Sequence, residues 1–125
     1  MKKKVLIIDD SLPIRYLLEA MFSKKYEVFS AQDGLVAMAW MSKGNMPDLI
    51  VSDLQMPNID GWELIRFLSE SYLYKHIPVV VLTGIVNVGM PDGNVQGMFK
   101  KPFDPTELMK AVGEIFQKDL AVVYS

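Results

Sequence analysis

Apolar runs that each stop on a polar side chain organise this chain. Val5-Leu6-Ile7-Ile8 ends in Asp9-Asp10, Leu49-Ile50-Val51-Ser52 ends in Asp53, and Val79-Val80-Val81-Leu82 ends in Thr83. A shorter stretch, Met98-Phe99-Lys100, leads into Lys101-Pro102. A short unbroken apolar run predicts a strand buried on both faces, as in a parallel sheet. Tyr26-Glu27-Val28-Phe29-Ser30-Ala31 alternates enough to predict one more strand.

Helical spacing fills the intervals. Ser11 is placed to cap a helix with Pro13 in its first turn, where a missing N–H costs nothing. Ile14, Leu17, Leu18, Met21 and Phe22 form its apolar stripe. Asp33-Gly34 opens a second helix to about Lys43, with Leu35, Met38 and Met41 expected inward, and Gly44-Asn45-Met46-Pro47 is a turn. Pro57 to Gly61 is a loop, Asp60 can cap a third helix, and Leu64, Ile65 and Leu68 are its inner residues. Asp104, Pro105 and Glu107 have the spacing of a capping box for a last helix that buries Leu108, Val112, Ile115 and Phe116. The interval Gly84 to Gly97 breaks this rhythm. It carries Gly84, Gly89, Pro91, Gly93 and Gly97, which oppose a stable helix, so it is expected to be mostly loop. Strands alternating with helices imply right-handed crossovers and an α/β, doubly wound parallel sheet.

Composition narrows the possibilities. A length of 125 residues suits a single domain over 1–125, with 119–125 as a tail or the start of a linker. A hydrophobic share of 50% supplies a real core. The net charge of −2 gives no electrostatic support for binding nucleic acid directly. With no cysteine there are no disulfides and no thiolate metal sites. The run after Lys2-Lys3-Lys4 is too short for a signal peptide and is cut by Asp9-Asp10, and no stretch reaches bilayer-spanning length. A soluble, cytoplasmic protein with no membrane partner is expected.

In an open parallel sheet, ligands bind beyond the carboxyl ends of the strands. The predicted strands place Asp9, Asp10, Asp53, Thr83 and Lys101 there. Clustered carboxylates repel unless a cation neutralises them. An all-oxygen ligand set selects Mg²⁺ or a similar hard ion over zinc. A carboxylate beside such an ion can act as a nucleophile toward phosphorus, with Lys101 and Thr83 placed to neutralise the phosphoryl oxygens. Each residue alone has an ordinary reading as a helix cap, a strand-end residue or a solvated charge. One such residue at each strand end, in order, outweighs those readings.

These residues resemble the receiver domain of two-component response regulators, of the chemotaxis response regulator type. The resemblance rests on Asp9-Asp10, on Asp53 with Met56-Pro57 and Asp60-Gly61, on Thr83, and on Lys101-Pro102-Phe103; Asp33-Gly34 with Ala37 adds to it. It implies a flavodoxin-like five-stranded sheet in the order 2-1-3-4-5. It implies that Asp53 is the phosphoacceptor. Asp10, Asp53 and the backbone carbonyl of Gln55 would bind Mg²⁺ directly, with Asp9 acting through metal-bound water. Thr83 and Lys101 would contact the phosphoryl oxygens, and the Lys101-Pro102 bond would be cis. The implied partners are a sensor histidine kinase or phosphotransfer protein and a downstream protein effector, with the chain a monomer or weak dimer. It would not be an enzyme in the usual sense, although it catalyses its own phosphorylation and dephosphorylation.

The chain also departs from that pattern. The helix between strands 4 and 5 is expected to be short, irregular or missing. Met98 stands where the family often carries an aromatic switch residue, and Phe99 should point to the opposite face. Ile85 is placed to shield a phosphoaspartate and lengthen its life. His76 is expected at the surface, and Trp40 and Trp62 to seal helix–sheet packing. The alternative function is a receiver-like interaction module that works without phosphorylation. A phosphatase with an aspartyl nucleophile would need a second acid where Gln55 stands.

Overall fold

The computed structural model describes residues 2–84, 89 and 93–124, with side chains as far as residue 118. Among the described residues, strands β1 (Lys4–Ile8), β2 (Glu27–Ala31), β3 (Leu49–Asp53), β4 (Val79–Thr83) and β5 (Val95–Lys100) alternate with helices. The helices are α1 (Leu12–Phe22), α2 (Gly34–Ser42), α3 (Gly61–Ser69) and α4 (Pro105–Tyr124). Every strand pairing is parallel, in the order β2-β1-β3-β4-β5. This is the expected doubly wound sheet. Among the described residues between β4 and β5 there is no helix.

The central strands β3 and β4 are buried at every position, which is why their sequences are unbroken apolar runs. Alternate side chains feed two cores. Leu6, Ile8, Ile50, Val79 and Val81 pack with Ala37 and Met41 of α2 and with Leu64, Ile65 and Leu68 of α3. Val5, Ile7, Val51, Val80 and Leu82 pack with Leu18 and Phe22 of α1 and with Leu108, Val112 and Ile115 of α4. Met98 joins the first core and Phe99 the second, so Phe99 does point away from Met98.

Three local expectations are corrected. Leu35 is 49% exposed, because α2 turns Gly34, Ala37 and Met41 inward instead. The helix is apolar on all sides, so no polar stripe in the sequence reveals its phase. Contact between Gly34 and Ile59 sets that phase. Leu17 likewise faces outward from α1. Finally, Val95-Gln96-Gly97 belongs to β5 and is not loop. Val79 pairs with Val95 and Val80 with Gly97 across a register irregularity. Glycine in a strand hides such a segment from pattern reading. Ile85 lies outside the described residues, as do the side chains of Val122, Val123 and Tyr124. No described helix is long and apolar enough to cross a membrane.

Candidate functional site

Sheet register builds the site. Ile8 pairs with Ser52, so Asp9, the next residue, comes level with Asp53. Asp53 pairs with Leu82, which places Thr83 one step further along β4. Thr83 pairs with Lys100, and the Lys101 N–H donates to the Thr83 carbonyl at 2.8 Å. The Lys101-Pro102 peptide bond is cis. Residues spread over most of the chain thus meet at one end of the sheet.

The side chains converge. Carboxylate oxygens of Asp9, Asp10 and Asp53 lie within 4.8 Å of one another, an arrangement that can hold a metal ion. Lys101 Nζ lies 2.9 Å from Asp9 Oδ2 and 3.2 Å from Asp53 Oδ2, bridging the two buried acids. Asp9 and Asp53 are 1% and 6% exposed, whereas Asp10 faces solvent. The Ser11 N–H donates to Asp9 Oδ1 at 2.9 Å, and the Gln55 N–H to Asp53 Oδ1 at 3.2 Å. Thr83 is buried at its strand end.

Burial raises the Asp53 pKa. The Lys101 charge and the Gln55 N–H oppose that rise, and the neighbouring Asp9 adds to it. For Lys101, burial pulls the pKa down, but the hydrogen bond to Asp9 and the charges of Asp9 and Asp53 outweigh it, and the net shift is upward. One ammonium therefore faces two buried carboxylates, with a third acid beside them. The surplus is negative, and the oxygen-only donor set suits a hard divalent cation.

A solvent-open cleft of about 540 Å³ adjoins the cluster, lined by Asp10, Leu54, Gln55, Met56, Pro57, Asp60 and Trp62. Trp62 is a wall of this cleft and 39% exposed, so it does not seal helix–sheet packing as expected. Trp40 does, with its ring 4.8 Å from that of Phe29. His76 is exposed, as expected.

Packing against the backbone fixes the segment after β3. A Cβ on Gly61 would sit 2.2 Å from the Asp53 carbonyl oxygen, so only glycine permits α3 to start there. The Gly61 N–H donates to the Leu54 carbonyl at 2.9 Å, and the Ser52 hydroxyl donates to the Asp53 carbonyl at 2.9 Å.

Sequence reasoning missed Arg15. Its Nη1 donates to the Asp9 carbonyl oxygen at 2.6 Å and so holds the peptide that carries the acid pair. A signal was present. A cation in the first turn of α1 opposes the helix dipole unless negative groups lie near it.

Comparison with known proteins agrees with this geometry. The family model for the response regulator receiver domain matches residues 5–113. The sporulation initiation phosphotransferase F of Bacillus subtilis is 33% identical over 117 residues, covering 90% of this chain and 92% of that protein. The response regulator PleD of Caulobacter vibrioides is 32% identical over 130 residues; the match covers 98% of this chain but only 28% of PleD. Among solved structures, the chemotaxis protein CheY4 of Vibrio cholerae superposes with a TM-score of 0.78 at 31% identity, covering 91% of this chain and 98% of that one.

Proposed function

Because this chain belongs to the response regulator receiver domain family, we propose that it is a phosphoacceptor switch. Asp53 takes a phosphoryl group from a phosphohistidine on a sensor kinase or phosphotransfer protein. A protein partner reads the resulting shift between two surface states. The observation that carries this reading is the convergence of Asp9, Asp10 and Asp53 with Lys101 bridging two of them. A module working without phosphorylation has no need to bury two carboxylates against one ammonium.

The donor set fits Mg²⁺, which Asp10, Asp53 and the main-chain carbonyl of Gln55 would hold with Asp9 alongside. The ion would neutralise the acids and polarise the phosphoryl oxygens. The protein's own residues do the rest. A carboxylate oxygen of Asp53 forms the bond to phosphorus as the phosphorus–nitrogen bond breaks, and that bond's electron pair leaves with the imidazole. The Gln55 N–H keeps the other oxygen of Asp53 oriented. Lys101, already within 3.2 Å, exchanges its Asp53 contact for a phosphoryl oxygen, and the Thr83 hydroxyl takes another. The chain is a cytoplasmic signalling partner and not an enzyme acting on a separate substrate.

The test is incubation with Mg²⁺ and acetyl phosphate, followed by intact-mass measurement. An adduct of about 80 Da that is absent from Asp53→Ala supports the switch. No adduct, together with no response to beryllofluoride, supports the phosphorylation-independent module.

A further inference from the structure

We propose that Asn58 is a positioning residue whose side-chain amide ties the loop between β3 and α3 to the start of α2, and that this tether sets the affinity of the acid cluster for Mg²⁺. The inference rests on the Mg²⁺ reading above.

The loop covers residues 54–60 and carries Gln55, whose carbonyl is the assigned main-chain ligand. It forms most of the cleft wall facing Asp10. Its two ends are fixed by the Gly61 N–H bond to the Leu54 carbonyl. Its middle is held differently. Asn58 has a φ of 66°, a left-handed conformation that asparagine tolerates better than most non-glycine residues. Its side chain reaches α2. Asn58 Nδ2 donates to Asp33 Oδ2 at 3.0 Å. Asp33 is 4% exposed, and its other oxygen caps α2 by accepting from the Val36 N–H at 2.9 Å.

A buried carboxylate with both oxygens engaged is a stiff anchor, and a hydrogen bond to a charged acceptor is stronger than a neutral one. The next residue is docked as well. A Cβ on Gly34 would lie 2.9 Å from the Ile59 carbonyl oxygen, so the helix start and the loop touch backbone to backbone. Residues 55–57 therefore hang between two clamps, one at Leu54–Gly61 and one at Asp33–Asn58. Groups that orient a ligand from outside the coordination sphere commonly control metal affinity. Releasing the second clamp lets the Gln55 carbonyl sample positions that do not face the acids.

The experiment compares wild type, Asn58→Gly, Asp33→Ser and the double variant by calorimetric titration with Mg²⁺, alongside urea unfolding in EDTA. Glycine keeps the left-handed backbone and removes the amide; serine keeps a capping oxygen and removes the second acceptor. Each single variant should weaken Mg²⁺ binding by about three- to tenfold, the range of one lost hydrogen bond. The double variant should be no weaker than the worse single, because both remove the same contact. Asn58→Gly should still unfold cooperatively in EDTA. Unchanged affinity in Asn58→Gly beside normal wild-type binding, or fully additive losses, overturns the inference alone. A wild-type chain with no saturable Mg²⁺ binding overturns the metal reading and the inference with it.

Discussion

Neutralising Asp53 should stabilise the metal-free protein. At an effective dielectric constant of about 20, Lys101 at 3.2 Å attracts the Asp53 carboxylate by roughly 5 kcal/mol. Asp9, with an oxygen within 4.8 Å, repels it by roughly 3.5 kcal/mol. Asp10 is exposed, so its repulsion is screened to about 1 kcal/mol. These contributions nearly cancel. What is left is desolvation of a carboxylate that is only 6% exposed, worth several kcal/mol for an ion and partly offset by the Gln55 N–H. The raised pKa of Asp53 has the same sign and the same leading cause. Asn keeps the shape and an acceptor for Gln55, so Asp53→Asn should gain about 1–2 kcal/mol in EDTA at pH 7.

Urea unfolding followed by circular dichroism measures the gain. Its pH dependence is a second check. A raised folded pKa means the charge costs stability fully above that value. The cost shrinks as pH falls through the folded pKa and vanishes below the unfolded value, about 3.9. The advantage of Asp53→Asn must disappear over that window. Mg²⁺ must narrow it at pH 7, because an ion at ten times its dissociation constant stabilises the wild type by about 1.4 kcal/mol. An Asp53→Asn protein no more stable than wild type in EDTA refutes the argument that the buried Asp53 charge is a net cost to the metal-free fold.

Other changes probe the same construction. Lys101→Met leaves two buried acids facing each other, so metal-free stability should fall by about 2–4 kcal/mol in urea unfolding, and acetyl phosphate labelling should slow at least about tenfold. Because the Lys101 pKa is raised, its contribution is whole below about pH 10.4 and lost as pH rises through the folded value, so the gap to wild type should close in strong alkali. Gly61→Ala should cost about 2–3 kcal/mol on thermal unfolding, since a Cβ meets backbone that cannot yield by a rotamer change. Arg15→Met should cost about 1 kcal/mol and weaken Mg²⁺ binding measurably by calorimetry, through loss of the 2.6 Å bond to the Asp9 carbonyl.

What the sequence disclosed and what it hid follow one physical division. Residues at strand ends were legible, because an apolar run buried on both faces advertises itself and its last polar residue marks the carboxyl edge. Asp9, Asp10, Asp53 and Thr83 were found this way, and the register then brought them together with Lys101, which follows the less buried edge strand β5. Helix phase was legible where a polar stripe opposed the apolar one, as in α3 with Leu64, Ile65 and Leu68 inward. It failed on α2, whose apolar surface is continuous and whose orientation is set by Gly34 against Ile59, a contact between segments distant in sequence. Asn58 and the cleft position of Trp62 were hidden for the same reason: each is defined by what it touches across the fold.

That division explains how the site is held. The acids are delivered by strands, but their fine placement depends on backbone contacts made possible by absent side chains. Gly61 lets α3 begin against the Asp53 carbonyl, and Gly34 lets α2 begin against the Ile59 carbonyl. Both contacts bear on the loop between β3 and α3. With the Asp53 backbone packed this way its carboxylate stays buried, so its desolvation remains in the metal-free fold as a deficit. On the proposed reading, a cation or a phosphoryl group at Asp53 would change that cost, and a partner in contact with the start of α2 or α3 would be placed to sense the change.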